Sequence, residues 1–190
     1  MIRLIHLIRH GQSTFNAHYT ATGEDPMHFD ARLSELGHLQ VAAARQQLTH
    51  QTYDLVIATP LTRAIQTAQG IFGDRVPIVI NPLHREWLNS SCDVGRSARD
   101  LARDFPSLDF AHLTDRWWHH QAPFNQHGFA PEPEHALLDR VQAFKDMIAA
   151  RTESRIAVVG HGDFFERLIG RHLENCELAE WTPDGSSVYS

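Results

Sequence analysis

The chain is poor in several things, and each scarcity removes a class of protein. Two cysteines in 190 residues, Cys92 and Cys176, allow at most one disulfide and fall in no metal-ligand spacing. Free thiols in a reducing compartment are the expectation, and with them a cytoplasmic location. No segment approaches the roughly 20 apolar residues that span a bilayer, so no membrane partner is expected. The opening "MIRLIHLIRHG" does not read as a signal peptide, because Arg3, His6 and Arg9 interrupt its apolar run and no small-residue cleavage site follows. A clustered basic excess is missing too. Lys and Arg number 17 against 23 Asp and Glu, a formal net charge of −6, which argues against a nucleic-acid partner. Repeats, low-complexity tracts and long charge runs are absent, and no pattern fixes an oligomeric state.

What is present is an ordinary globular composition, 42% hydrophobic, over a length suited to one domain spanning residues 1–190. Three runs, "RLIHLIR" (3–9), "DLVIAT" (54–59) and "RIAVVG" (155–160), are apolar on both alternating faces, as central parallel strands are. "VPIVIN" (76–81) is rich in β-branched residues and joins the same sheet. Helical periodicity separates them. One face carries Leu61, Ala64, Ile65, Ala68 and Phe72; another Leu36, Leu39 and Ala43; a third Leu137, Val141, Phe144 and Ile148. A last helix opens at Asp163 with Glu166 three residues on, a capping box, and buries Leu168 and Ile169. This alternation predicts a three-layer α/β/α fold around a mainly parallel sheet. From about 86 to 134, prolines, histidines and paired tryptophans predict an irregular insertion with one short helix near 97–105.

Open parallel sheets bind ligands beyond the carboxyl ends of their strands. Three strands here end in groups suited to phosphate. The first ends Arg9-His10-Gly11. The second leads through "ATPLTRA" to Arg63, with Thr59 as the expected N-cap and Pro60 at the first helical position. The last ends Gly160-His161-Gly162. Arginine forks pair with phosphate oxygens, helix N-termini add N–H donors, and a histidine can be the nucleophile. Gly11, Gly160 and Gly162 let a bulky anion approach the backbone. Among the 14 histidines, His119, His120 and His127 cluster without an HExxH or CxxC frame, so surface or pocket-wall roles are expected and no metal or cofactor.

These segments resemble the histidine phosphatase superfamily, the phosphoglycerate mutase-like family. "LIRHGQSTFN" is similar to its Arg-His-Gly signature, and "ARLSELGHLQVAAA" to its Leu-Ser/Thr-x-x-Gly-x-x-Gln helix. "ATPLTRAIQTA" is similar to its Ser/Thr-Pro-x-x-Arg-Ala-x-Gln-Thr-Ala segment, and "VVGHGDF" to its C-terminal histidine motif. The resemblance implies that His10 becomes phosphohistidine while Arg9, Arg63 and His161 bind the phosphoryl oxygens. It implies hydrogen bonds from Asn16, with Gln12 and Ser13 as further candidates. Glu86, in "NPLHREWLNSSCD", is the implied proton donor, with Asp93 as the alternative.

Gln12 stands where mutases of the family often carry glutamate, and "LNSSCDVGRSARD" lacks their Glu-Gly stretch. The expected activity is therefore metal-independent hydrolysis of a small phosphorylated substrate, in a phosphatase-like branch. A phosphoglycerate-type mutase is the alternative, and a non-catalytic phospho-ligand binder a third reading. Arg85, Arg96 and Arg99 are candidates for a second anionic group, against ordinary surface charge. Trp117, Trp118 and Phe124 either line the pocket or, preferably, anchor the insertion.

Overall fold

The computed structural model describes residues 4–183, so Arg3, at the start of the expected first strand, lies outside them. Strand β1 (Leu4–Arg9) is apolar on both sides because both are covered: Ile5 and Leu7 enter one core, Ile8 the other. The chain continues through α1 (Thr14–Thr22), α2 (Glu35–Gln47), β2 (Leu55–Ala58), α3 (Thr62–Phe72) and β3 (Ile78–Ile80). After a single 3₁₀ turn at Ser91–Asp93 come α4 (Ala98–Asp104), α5 (Glu134–Ala149), β4 (Arg155–Gly160), α6 (Gly162–Ile169) and β5 (Leu178–Trp181). The sheet runs β3-β2-β4-β1-β5, parallel throughout except for β5, which lies antiparallel to β1. That strand was not expected from the sequence.

Alternate residues of β2 and β4 divide between the two faces. Val56, Ala58, Ala157 and Val159 pack with α2 and α3, while Leu55, Ile57, Ile156 and Val158 pack with α5 and α6. The result is the three-layer α/β/α arrangement. Among the described residues no helix is long and apolar enough to cross a membrane.

The predicted faces of α3 and α5 are buried throughout. The predicted face of α2 is not. Leu36 and Leu39 are 49% and 68% exposed, Ala43 is exposed, and the helix instead buries Gly37, Val41 and Ala44. The reason is backbone proximity: a Cβ added at Gly37 would lie 2.1 Å from the Gln12 carbonyl oxygen, so only glycine lets this face dock. Two expected caps also fail. Helix α3 starts at Thr62, not at Pro60, because the Thr59 hydroxyl is engaged by His161; buried Asp30 accepts the Thr62 N–H at 2.7 Å. Helix α6 has His161 as its N-cap residue rather than an Asp163–Glu166 box, and its first N–H groups point at the Glu86 carboxylate. In each case a residue distant in sequence supplies what a local side chain was expected to give. Leu168 is buried and Ile169 half-buried, but Phe164 and Phe165 dominate that face.

Within the insertion, Trp117 is buried in the core on the α3 side, and its indole N–H donates to Arg96 O at 2.9 Å. Its ring lies where a Cβ on Gly95 would be, at 2.2 Å, so Gly95 is the seat of this anchor. Trp118 packs beside it, whereas Phe124 is 56% exposed and anchors nothing.

Candidate active site

Three strand ends meet here. His10 follows β1 directly, His161 follows β4, and their ring centroids are 5.1 Å apart. Arg63, in the first turn of α3, reaches His10, and its Nε donates to His10 Nε2 at 3.2 Å. The partners fix the His10 tautomer. Nδ1 lies 2.7 Å from Gly11 O, which can only accept, so Nδ1 holds the proton and Nε2 the lone pair. Burial, then the Arg63 and Arg9 charges, push the His10 pKa well below the usual imidazole value, and His161 is shifted the same way by burial, Arg63 and His10. The shifts favour the neutral form of both rings, and for His10 the acceptance of the Arg63 N–H agrees with it.

Arg63 is itself buried and directed. Nη1 donates to Cys92 O at 2.6 Å and Nη2 to Asp93 Oδ1 at 2.9 Å. Asp93, the alternative proton donor, is thus the counter-ion of Arg63, and its other oxygen accepts Ser90 N–H at 3.1 Å. The Cys92 thiol beside it is held well above its usual pKa by burial and by Asp93.

Arg9 lies along the start of α6. Its Nη1 donates to Leu173 O at 2.7 Å and meets His172 Nε2 at 2.8 Å. A Cβ on Gly162 would stand 3.3 Å from Arg9 Nε, so this glycine leaves the guanidinium its place. Arg9 Nε and His161 Nδ1 are buried and have no hydrogen-bond partner among the described residues. Two unpaired buried nitrogens beyond the ends of neighbouring strands suit an anion's oxygens.

Glu86 closes the arrangement. Its carboxylate accepts from Trp87 N at 3.0 Å, Phe164 N at 3.1 Å and Asp163 N at 3.3 Å, which holds it at the N-terminus of α6. Burial raises its pKa to about 7, with Asp163 and Asp93 adding to the shift and Arg63 opposing it.

Gln12, Ser13 and Asn16 sit next in the chain but face local partners. Gln12 Oε1 accepts from Ser34 Oγ at 2.8 Å, tying the loop to α2. Ser13 and Asn16 form the capping box of α1, with Ser13 N donating to Asn16 Oδ1 at 3.1 Å. Of the candidate anion-binding arginines, Arg85 pairs with Glu132 at 2.9 Å and Arg96 with Asp30 at 2.7 Å, while Arg99 is exposed. His120 meets Trp118 O and His127 meets Gln126, so these histidines have neighbours of their own.

Three further residues, not singled out for the site from the sequence, contact it. Thr59 Oγ1 is 2.7 Å from His161 Nε2, and Asn175 Nδ2 donates to His10 O at 2.8 Å. Thr67 accepts Gly11 N–H at 3.0 Å while donating to Arg63 O at 2.7 Å, one turn earlier in α3. Thr59 and Thr67 both lie in the quoted "ATPLTRAIQTA" segment, and Thr67 also has i+4 spacing to Arg63, whereas Asn175 falls in no motif.

The family model for the histidine phosphatase superfamily (branch 1) matches residues 5–185, and the chain belongs to that superfamily. Among curated relatives, a "Phosphoglycerate mutase-like protein" of Arabidopsis thaliana is 30% identical over 93% of this chain and 82% of its own length. The "Adenosylcobalamin/alpha-ribazole phosphatase" of Escherichia coli is 31% identical over 92% of this chain and 81% of its own. A solved Escherichia coli structure described as a putative alpha-ribazole-5'-P phosphatase shares the fold, with a TM-score of 0.64 at 22% identity, covering 94% of this chain and 89% of that one.

Proposed function

We propose that the protein is a phosphomonoesterase that hydrolyses a small phosphorylated substrate through a phosphohistidine on His10, without a metal ion. The observation that carries this reading is the state of His10. It is a neutral imidazole whose unprotonated Nε2 faces Arg63, with a carboxyl group of near-neutral pKa at the adjoining helix start. Named relatives described as phosphatases support hydrolysis.

In the first half-reaction Nε2 attacks phosphorus as the bond to the leaving oxygen breaks, and Glu86 gives its proton to that oxygen. Arg63 Nε exchanges its bond to Nε2 for a phosphoryl oxygen, joined by Arg9 and by His161 Nδ1–H. A Thr59 hydroxyl that donates to His161 Nε2, 2.7 Å away, is assigned the role of keeping that proton on Nδ1. In the second half-reaction water attacks phosphorus, its proton passes to Glu86, and the P–N bond breaks to return the Nε2 lone pair. With the proton back on Glu86 and phosphate released, the cycle closes.

The test is hydrolysis of 4-nitrophenyl phosphate in EDTA by the wild type and by His10→Ala, with acid-labile ³²P trapped on the protein. Turnover in EDTA and loss of both signals in the variant are expected. Full activity of His10→Ala, or loss of wild-type activity in EDTA, overturns the reading. A phosphoglycerate-type mutase would instead move the label between positions of its substrate.

A further inference from the structure

The loop carrying Glu86 is gripped from behind by one side chain. Arg140, on α5, is buried, and its Nη1 donates to Leu83 O at 2.7 Å and to Arg85 O at 2.9 Å. Its Nη2 reaches Glu86 O itself at 3.4 Å. The same guanidinium stands 5.5 Å from the centre of the Phe164 ring, and Phe164 N–H is one of the donors holding the Glu86 carboxylate. One residue therefore touches both ends of the Glu86 placement: the backbone it hangs from and the helix turn it points at.

Arg140 is in turn held by Glu132, which is 2% exposed and accepts Arg140 Nε at 2.8 Å and Arg85 Nη2 at 2.9 Å. Glu132 is pinned through its own backbone, with its N–H donating to Leu88 O at 2.9 Å and its carbonyl accepting the Trp87 indole N–H at 2.7 Å. Apart from the Arg140–Glu132 pair itself, these hydrogen bonds all end on residues 83–88. A buried ion pair is a poor source of stability, since well-packed apolar residues often do as well. What it supplies here is a fixed path for three carbonyls flanking a single carboxyl group.

We propose that Arg140, with Glu132 as its counter-ion, is the positioning residue that sets the Glu86 carboxyl against the leaving oxygen. The inference rests on the reading of Glu86 as proton donor given above. Neither residue touches substrate; both act through the 83–88 backbone. Loosening that backbone misdirects the carboxyl and admits water around it, which moves its titration back towards an ordinary carboxylate. The groups facing Glu86 are Asp163, Asp93 and Arg63, and none of them changes when Arg140 is replaced.

Proton donation matters for a poor leaving group and little for a good one. The experiment measures first-turnover release from glycerol 2-phosphate, an alkyl ester, and from 4-nitrophenyl phosphate, in Glu86→Gln, Arg140→Lys and the milder Trp87→Phe. Arg140→Lys is expected to lose about 100-fold on the alkyl ester and under about threefold on the aryl ester. Its kcat/KM should fall off at lower pH than in wild type. Trp87→Phe gives the same pattern at smaller amplitude and carries the test should Arg140→Lys not fold. Equal losses on both esters, or none, with an unmoved pH profile overturn the positioning role when Glu86→Gln shows the leaving-group dependence. If Glu86→Gln lacks that dependence, the assignment of Glu86 falls, and this inference with it.

Discussion

Replacing Gly37 with alanine sets two physical effects against each other. Gly37 lies in the first turn of α2, and helix propensity alone predicts that alanine stabilises by about 1 kcal/mol. Packing predicts the opposite. The added methyl would sit 2.1 Å from Gln12 O and 3.0 Å from Gln12 C, and both obstacles are backbone that cannot rotate aside. Helix and loop must separate by about 1 Å, an overpacking cost of about 1–3 kcal/mol. Separation also stretches the Ser34 N–H bond to Gln12 O, at 2.9 Å, and the Gln12 N–H bond to Gln40 Oε1, at 2.8 Å. Each is worth about 1 kcal/mol, so the net loss is about 3 kcal/mol. At about 2–4 °C per kcal/mol for a chain of this size, the melting temperature falls by about 6–12 °C. Because Gln12 is two residues from His10, turnover falls too, by about 100-fold for a shift of this size. Circular-dichroism melting and 4-nitrophenyl phosphate hydrolysis check both. A Gly37→Ala protein that melts at or above wild type with full turnover refutes the packing argument.

Two further outcomes follow from the site. On glycerol 2-phosphate, with Glu86 as the proposed proton donor, kcat/KM should fall about tenfold per pH unit above the Glu86 pKa of about 7. Glu86→Gln should be slow and flat across that range, and a surviving basic limb assigns it to another group. Thr59→Val keeps the shape but removes the hydroxyl beside His161 Nε2, and kcat should drop about 10- to 100-fold, with Thr59→Ser recovering most of it. Undiminished turnover in Thr59→Val shows that His161 needs no help in choosing its tautomer.

Sequence periodicity told the truth where packing was ordinary. The stripes of α3 and α5 are apolar, evenly spaced and buried, because those helices lie flat on a flat-sided sheet. It misled at α2, where the contact is backbone against backbone and the conspicuous leucines turn outward. Strand β5 escaped notice because it is four residues at a sheet edge with Glu180 in its middle. The convergence of His10, Arg63 and His161 was legible since the two histidines directly follow strands of one sheet and Arg63 opens the helix after another. Their supporting contacts were not. Asp30 reaches Thr62, Glu86 reaches Phe164 and Asn175 reaches His10 across long stretches of chain, and only folding brings those pairs together.

Strand β1 lies inside the sheet, with Leu4 opposite Arg155 on one side and Ile5 opposite Trp181 on the other. Both of its neighbours, β4 and β5, thus follow it in the chain only after α1 to α5. Until those strands are made it is an unpaired apolar stretch ending in Arg9 and His10, which needs shielding from other nascent chains. Such distant pairing also slows folding. A partial chain that stops before β4 lacks His161 and α6, so the convergence of strand ends described above waits for that strand.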